Sequence, residues 1–371
     1  MKNTLIFSVI GLTLILLTSC KDKIDLIGAG QESAVVIGIL DQSESTHYVK
    51  ITRTFIGDGV TNSLDIATIP DSSYFNQVDI TIQEILANGS QGRSFTLHDT
   101  IIQNKDENGV FYAPQQKVYV FYTTPAAPLL ADATYKMTAK IDNGRIIVTG
   151  QTQLVSGISA GTWANGNASM KLTANGNALG EYATQSLNIP NVGNSYKMNG
   201  KVRFDYREYA IGMTDSTDHA IWFNLGEYDI IPGANTSQTF TFSGETFYRT
   251  VKDKVPVSSS IEKRIYLGFD VQITGASREL ANYIEVSKPS SSLAQNKPKY
   301  TNLTITEGHT VLGIFGARYT FRVYKPAVSV SRITQGMDKK SRRDLCAGPV
   351  TGTLSFCSQH ALDNPESWSC N

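Results

Sequence analysis

Apolar and polar residues alternate along most of this chain. In Tyr135–Ile141 the residues Tyr135, Met137, Ala139 and Ile141 share one side, and Lys136, Thr138 and Lys140 the other. That two-residue period is the mark of a half-buried strand. Asp142-Asn143-Gly144 follows, a tight-turn signal because Asn-Gly accepts positive φ, and Arg145 to Thr152 returns as the partner strand. The same alternation recurs in Val49, Ile51 and Phe55, in Val78, Ile80 and Ile82, in Val202, Phe204 and Tyr206, and in Ile265, Leu267, Phe269, Val271 and Ile273. Val35 to Leu40 is an unbroken apolar run, which predicts a strand covered on both faces. One segment has helical spacing: Ser277 is a good N-cap, Leu280, Tyr283 and Ile284 lie on one face, and Lys288-Pro289 stops the helix.

Strands recurring every roughly 10–15 residues predict a mainly β protein with two antiparallel β-sandwich or barrel-like domains and one short helix. Residues 33–155 have the size of an immunoglobulin-like or prealbumin-like sandwich of about seven or eight strands. Residues 156–181 turn Gly- and Asn-rich, with Ala-Asn-Gly-Asn-Ala at 164–168 and again at 174–178, and read as a linker holding one strand, Ser169 to Thr173. A second β-rich domain is expected over 160–335, and a cysteine-containing tail over 336–371.

The chain has 371 residues, which suits about two domains. Its 33 Lys+Arg balance 33 Asp+Glu, so no basic excess points to nucleic acid.

The N-terminus changes the picture more. Lys2 precedes an apolar run from Leu5 to Leu17, too short to span a bilayer but suited to the core of a signal peptide. Leu17-Thr18-Ser19-Cys20 follows directly and resembles a bacterial lipobox. Residues 1–19 are therefore expected to be a lipoprotein signal peptide, and Cys20 the lipid-attachment residue. Residues 20–32 would be a tether reaching about 40 Å when extended. Two or three acyl chains, palmitate among them, make a stable anchor where one gives only marginal binding.

The other cysteines, Cys346, Cys357 and Cys370, all lie near the C-terminus. An extracytoplasmic compartment permits disulfides, and an odd number leaves at least one thiol unpaired. One disulfide is expected, and the spacing does not choose the pair.

Candidate chemistry is thin. Gly157-Ile158-Ser159-Ala160-Gly161 matches the nucleophile-elbow pattern, but Thr162-Trp163-Ala164-Asn165-Gly166 cannot begin a sound helix after it, so a linker is expected instead. Asp215, Asp218 and His219 cluster, as do Asp41, Glu44 and His47, each short of the oxygen ligands that Ca²⁺ requires. Asp106-Glu107-Asn108-Gly109 lacks the downstream Glu of a calcium loop and reads as a turn. Met337 to Asp344 contains four basic residues and reads as a solvated loop. Trp163, Trp222, Phe223 and Trp368, with Tyr206, Tyr209 and Tyr228, could stack on sugar rings, though core packing is the default. No catalytic residue, metal site or cofactor is expected.

The order of these elements resembles a known family. After the lipobox come Ala34-Val35-Val36-Ile37-Gly38-Ile39-Leu40, Tyr48-Val49-Lys50-Ile51-Thr52-Arg53-Thr54, Gly109-Val110-Phe111-Tyr112 and Tyr135 to Ile141 with Gly144. Late in the chain, Ile265 to Ile273 leads to the helix from Ser277 to Val286, then Thr301-Asn302-Leu303 and Val311 to Ala317, where Gly313-Ile314-Phe315-Gly316 is most telling. This layout resembles the Bacteroidetes cell-envelope lipoproteins grouped as domain of unknown function 4249. The C-terminus departs from that family's compact cysteine pair. The resemblance implies a partner class, TonB-dependent outer-membrane transporters, and no catalytic residues. The expectation is a non-enzymatic outer-membrane lipoprotein, facing the periplasm or the cell surface, that binds a small ligand or glycan or assists a transporter, with no nucleic-acid partner. A structural or adhesive surface module is the alternative, and a glycan-acting hydrolase a further one.

Overall fold

The computed structural model describes residues 33–54, 67–69, 72–103, 105, 109, 112–175, 178–213, 215–288, 299–327 and 336–370. The expected signal peptide, Cys20, the expected tether to residue 32, Phe55 and Asp106–Asn108 lie outside these residues.

Strands dominate. Eight come from the first 153 residues: β1 (Ser33–Asp41), β2 (Thr46–Arg53), β3 (Val78–Ile85), β4 (Gln91–Thr96), β5 (His98–Gln103), β6 (Gln115–Tyr122), β7 (Thr134–Ile141) and β8 (Ile146–Gln153). Short β9 (Ile158–Ser159), β10 (Thr184–Ile189) and β11 (Asn191–Val192) follow. Then come β12 (Lys197–Ala210), β13 (Ser216–Asp229), β14 (Gln238–Ser243), helix α1 (Gly244–Lys254), β15 (Ile261–Ala276) and α2 (Arg278–Ser287). The chain ends with β16 (Leu303–Ile305), β17 (Thr310–Pro326), α3 (Lys339–Ala347) and β18 (Phe356–Cys357).

One large sheet runs through the molecule in the order β13-β12-β15-β17-β1-β2-β6-β5, with β18 added beside β15. A five-stranded sheet, β16-β8-β7-β3-β4, packs over its first half. The arrangement is sandwich-like, and no sheet of the described residues closes into a barrel. Long β17 joins the halves: Thr310 to Arg318 pairs with β1, and Arg318 to Pro326 with β15. The first sandwich is thus completed by two strands from late in the chain, β16 and the start of β17.

The β1–β17 pairing is parallel, unlike the antiparallel sheets expected. Parallel neighbours need a crossover, and here everything between the two strands serves as one. Gly313 permits the close approach: its φ is +99°, and a Cβ there would sit 2.0 Å from the Val36 carbonyl oxygen.

The first core is mostly aliphatic. Val36, Leu40, Val49, Ile51 and Phe315 face Ile80, Ile82, Met137, Ile141 and Val148 across the sheets. The hairpin at Asp142-Asn143-Gly144 forms as the sequence predicts, with all three residues at positive φ. The second core is aromatic, with Phe204, Phe223, Phe242, Phe247, Tyr266 and Phe269 packed mostly in edge and tilted contacts, and Phe204 stacked on Tyr266. A register shift between Asp205 and Tyr206 turns Tyr266 into this core where simple alternation would place Leu267. The β10–β14 ribbon, α1, α3 and the C-terminal segment cover it.

The predicted helix is α2, with Ser277 Oγ accepting the Leu280 amide at 3.4 Å. Two further helices were not expected. One of them, α3, replaces the solvated loop: Asp338 caps it, and Arg342 and Asp344 are buried. Ser169–Thr173 forms only isolated bridges, Met170 to Met337 and Thr173 to Tyr182.

Candidate functional site

Strand β1 alternates after all. Ala34, Val36 and Leu40 enter the core, while Val35, Ile37 and Ile39 point to the opposite face, where Ile37 is 41% exposed. The unbroken apolar run is therefore covered fully on one face only: on the other, Ile39 packs beside α2 while Val35 and Ile37 line a cleft.

This cleft has a volume of about 430 Å³. Val35 and Ile37 form its floor with Thr52 of β2, and Ala67, Ile69, Tyr74 and Tyr112 form its walls. Three cations reach it: Lys50, Arg53 and Lys105. No carboxylate occurs among the described lining residues.

The cations are positioned by local structure. Lys50 lies on the outward side of β2, and its Nζ donates to Gln116 Oε1 at 2.7 Å. Arg53 Nε donates to the Ser72 carbonyl at 2.9 Å, and Lys105 Nζ to the Tyr112 carbonyl at 2.7 Å. Tyr74 is fixed by the Lys117 amide, which donates to its hydroxyl at 2.9 Å. Burial lowers the Lys50 pKa, and the nearby Lys105 ammonium lowers it further. Burial likewise lowers that of Lys105. An anion entering here would relieve both effects. Beyond Lys50 the cleft continues as an open groove along Ile37, Ile39, Tyr48, Ile102 and Val118 toward Arg318 and Asp41. Helix α2 packs beside it, with Tyr283 and Ile284 near Ile39.

The residues singled out from sequence lie elsewhere. Ser159 is exposed on two-residue β9, followed by a single 3-10 turn, Thr162–Ala164, so no nucleophile elbow forms. Asp218 pairs with Arg207, and His219 with Glu208 at 3.0 Å, so the Asp215 cluster is dispersed along the β12–β13 hairpin. His47 is buried, stacked on Phe121 at 4.7 Å and bonded to Thr123 Oγ1 at 3.1 Å, while Asp41 accepts from Arg318 Nε at 2.9 Å. Burial pulls the His47 pKa down to about 4. Among the described residues no group of three or more His, Cys, Asp or Glu is placed to hold a metal.

Cys357 and Cys370 form a disulfide, and Cys346 is a buried thiol whose pKa burial pushes up to about 12. Trp163 and Trp368 are core residues, and the Trp163 indole donates to the Asn188 carbonyl at 2.7 Å. Phe223 and Tyr206 are also buried, whereas Trp222 is 45% exposed.

Sequence reasoning missed Lys50, Arg53, Lys105, Tyr74 and Tyr112. The one available signal was the outward half of Val35–Leu40, three apolar residues with no second sheet to cover them.

No helix of the described residues is long and apolar enough to cross a membrane. No protein-family model matches the chain, and no curated protein matches it. Among solved structures, the C-terminal globular domain of the oligosaccharyltransferase from Pyrococcus abyssi is similar over 64% of this chain and 42% of that one, at 11% identity and a TM-score of 0.23. This chain thus spans less than half of that protein, and a likeness so distant carries no functional argument.

Proposed function

We propose that this chain is a non-enzymatic lipoprotein of the bacterial outer membrane, held by acyl chains on Cys20, whose cleft binds an apolar ligand bearing an acidic group. The lipobox and the family resemblance support the anchor and a TonB-dependent transporter as partner. The cleft carries the ligand class: apolar walls with Lys50, Arg53 and Lys105 in the lining and no carboxylate among the described lining residues suit a hydrocarbon or ring body ending in an anion. A purely adhesive spacer has no need of such a concavity.

The anchor is tested by mass spectrometry of the N-terminal peptide from envelope fractions, where diacylated or triacylated Cys20 is expected and a free thiol would refute it. The cleft is tested with a fluorescent fatty acid and its methyl ester. The acid should bind more tightly, and Lys50→Met should erase about tenfold of that preference, as loss of one charge-assisted contact would. Equal binding of acid and ester would remove the anion-binding role. Recovery of no outer-membrane transporter with the detergent-solubilised chain would remove the partner.

A further inference from the structure

The outer face of the second half of the large sheet carries a different surface. Four residues stand in one row across four strands: Trp222 on β13, Arg203 on β12, Asp270 on β15 and Tyr324 on β17. Their alternation partners, Phe223, Phe204, Phe269 and Val323, point into the core or pack against it, so all four side chains share the outward face. Trp222 is 45% exposed and Tyr324 54%. Three strand spacings put the two aromatic positions about 14 Å apart.

Between them the polar groups are already braced. Arg203 holds Asp205 through Nε at 2.8 Å and Nη2 at 3.0 Å. Asp270 is 4% exposed and accepts from Arg322 Nη2 at 2.7 Å and Gln272 Nε2 at 2.8 Å. The Arg203 guanidinium also lies 5.5 Å from the centre of the Trp222 ring, which fixes its orientation. At Gly268 a Cβ would meet the Tyr324 hydroxyl at 2.7 Å, so the absent side chain gives the tyrosine room to settle over the sheet.

We propose that this face binds a short, flat run of pyranose sugar rings, stacked on Trp222 and Tyr324 and hydrogen-bonded to the arginine–aspartate lattice between them. Sugar rings have apolar faces that suit exposed aromatics and hydroxyls that both donate and accept. The lattice offers the partly exposed guanidinium donors of Arg203 and Arg322 and, beside them, the less exposed Asp205 carboxylate as acceptor, while buried Asp270 braces the two arginines. Its charges are mostly paired, which suits a neutral chain better than a polyanion. An extended peptide would instead add along an open strand edge such as that of β13, whereas the row runs across the sheet from β13 to β17. The site is separate from the cleft beside Lys50.

The chain has three tryptophans, and Trp163 and Trp368 are buried at 7% exposure each, so a change in the emission of solvent-exposed tryptophan reports Trp222. The full chain in detergent is titrated with cellohexaose, xylohexaose, mannohexaose and maltohexaose, followed by fluorescence and calorimetry. At least one should bind and shift the emission to shorter wavelength. Trp222→Ala and Tyr324→Ala should each weaken that binding about tenfold. Tyr122→Ala, on the exposed side of β6, and Lys50→Met should leave it unchanged. Both aromatic side chains are exposed, and circular dichroism checks that each variant is folded. Binding of none of the four sugars overturns the proposal. So does binding that survives both aromatic substitutions, or that Lys50→Met abolishes.

Discussion

The two halves of the large sheet solve the covering problem differently. The first half is covered by a second sheet whose strands alternate as cleanly as its own. The second half is covered by a two-strand ribbon, helices α1 and α3 and irregular chain. Sheet on sheet closes a core mainly through apolar side-chain burial, and the first half adds polar ties such as that of buried Glu84 to the Tyr135 hydroxyl and Arg93. Irregular cover carries backbone and charged groups into the interior, and each must find a partner. The second half accordingly holds buried polar ties. Arg342 donates to both oxygens of Asp363 at 2.7 and 2.9 Å. Arg264 donates to Glu208 at 2.7 Å and to the carbonyls of Leu354 and Pro256. Asp344 accepts from Thr173 Oγ1 at 2.7 Å.

The comparison is broken most severely at one residue in each half. Phe315 is fully buried between Gly38 and Gly150 in the first core. Phe315→Ala should cost about 3–5 kcal/mol through lost burial and an unfilled cavity. Arg342→Ala should cost a similar amount, about 3–5 kcal/mol, for another reason: it leaves the Asp363 carboxylate buried without its cation, with the Ser358 hydroxyl still donating to it. Chemical denaturation gives both totals, and a second substitution separates the causes. Asp363→Asn should recover part of the Arg342→Ala loss, whereas no polar substitution rescues Phe315→Ala. If Asp363→Asn worsens Arg342→Ala, the buried-charge account of the second half is wrong.

The disulfide comes next. Cys357 and Cys370 enclose a separation of 13 residues around the segment that supplies Asp363. A loop of that size contributes about 3 kcal/mol when closed. Reduction, or Cys357→Ser with Cys370→Ser, should therefore lower stability by about 3 kcal/mol or somewhat less. Amide exchange should accelerate first over residues 356–370 and α3, with β3 and β7 unaffected. Uniform acceleration over both halves would show that the shared sheet makes them one cooperative unit.

The same contrast explains what could be read from the sequence. Strands β7 and β8, their turn, and the inward sides of β3 and β12 follow from alternation, because each has one face in a core and one outside. Helix α2 follows from its cap and spacing. Helix α3 does not, since Arg342 and Asp344 look like surface residues until Asp363 and Thr173 are brought to them from 21 and 171 positions away. Local pattern has no access to such partners. The parallel seam between β1 and β17 is hidden likewise, because its strands lie at opposite ends of the chain. The cleft was half legible: its apolar floor stands in the Val35–Leu40 run, but Lys105 and Tyr112 arrive from a distant loop.

Acid should sharpen the comparison most gently. Each half buries one histidine, His47 in the first and His360 in the second. Burial lowers the pKa of both; nearby Asp41 partly opposes this for His47, whereas Arg342 adds to it for His360. His47 falls from 6.5 to about 4. Between those values the unfolded chain binds a proton at this residue that the folded chain refuses. Stability therefore falls as pH drops from about 6.5 toward 4, and the loss is complete only below the folded value. His47→Gln removes this titration and keeps a group able to bond Thr123, so its denaturation midpoint should vary less between pH 7 and pH 4.5 than that of the parent. His360→Gln should flatten the profile as well, but it also removes the Nδ1 atom that accepts the Leu362 amide at 3.2 Å, so it should lower stability at pH 7 too. If His47→Gln leaves the pH profile unchanged, acid destabilisation arises outside the first core, and the aliphatic half is the less acid-sensitive of the two.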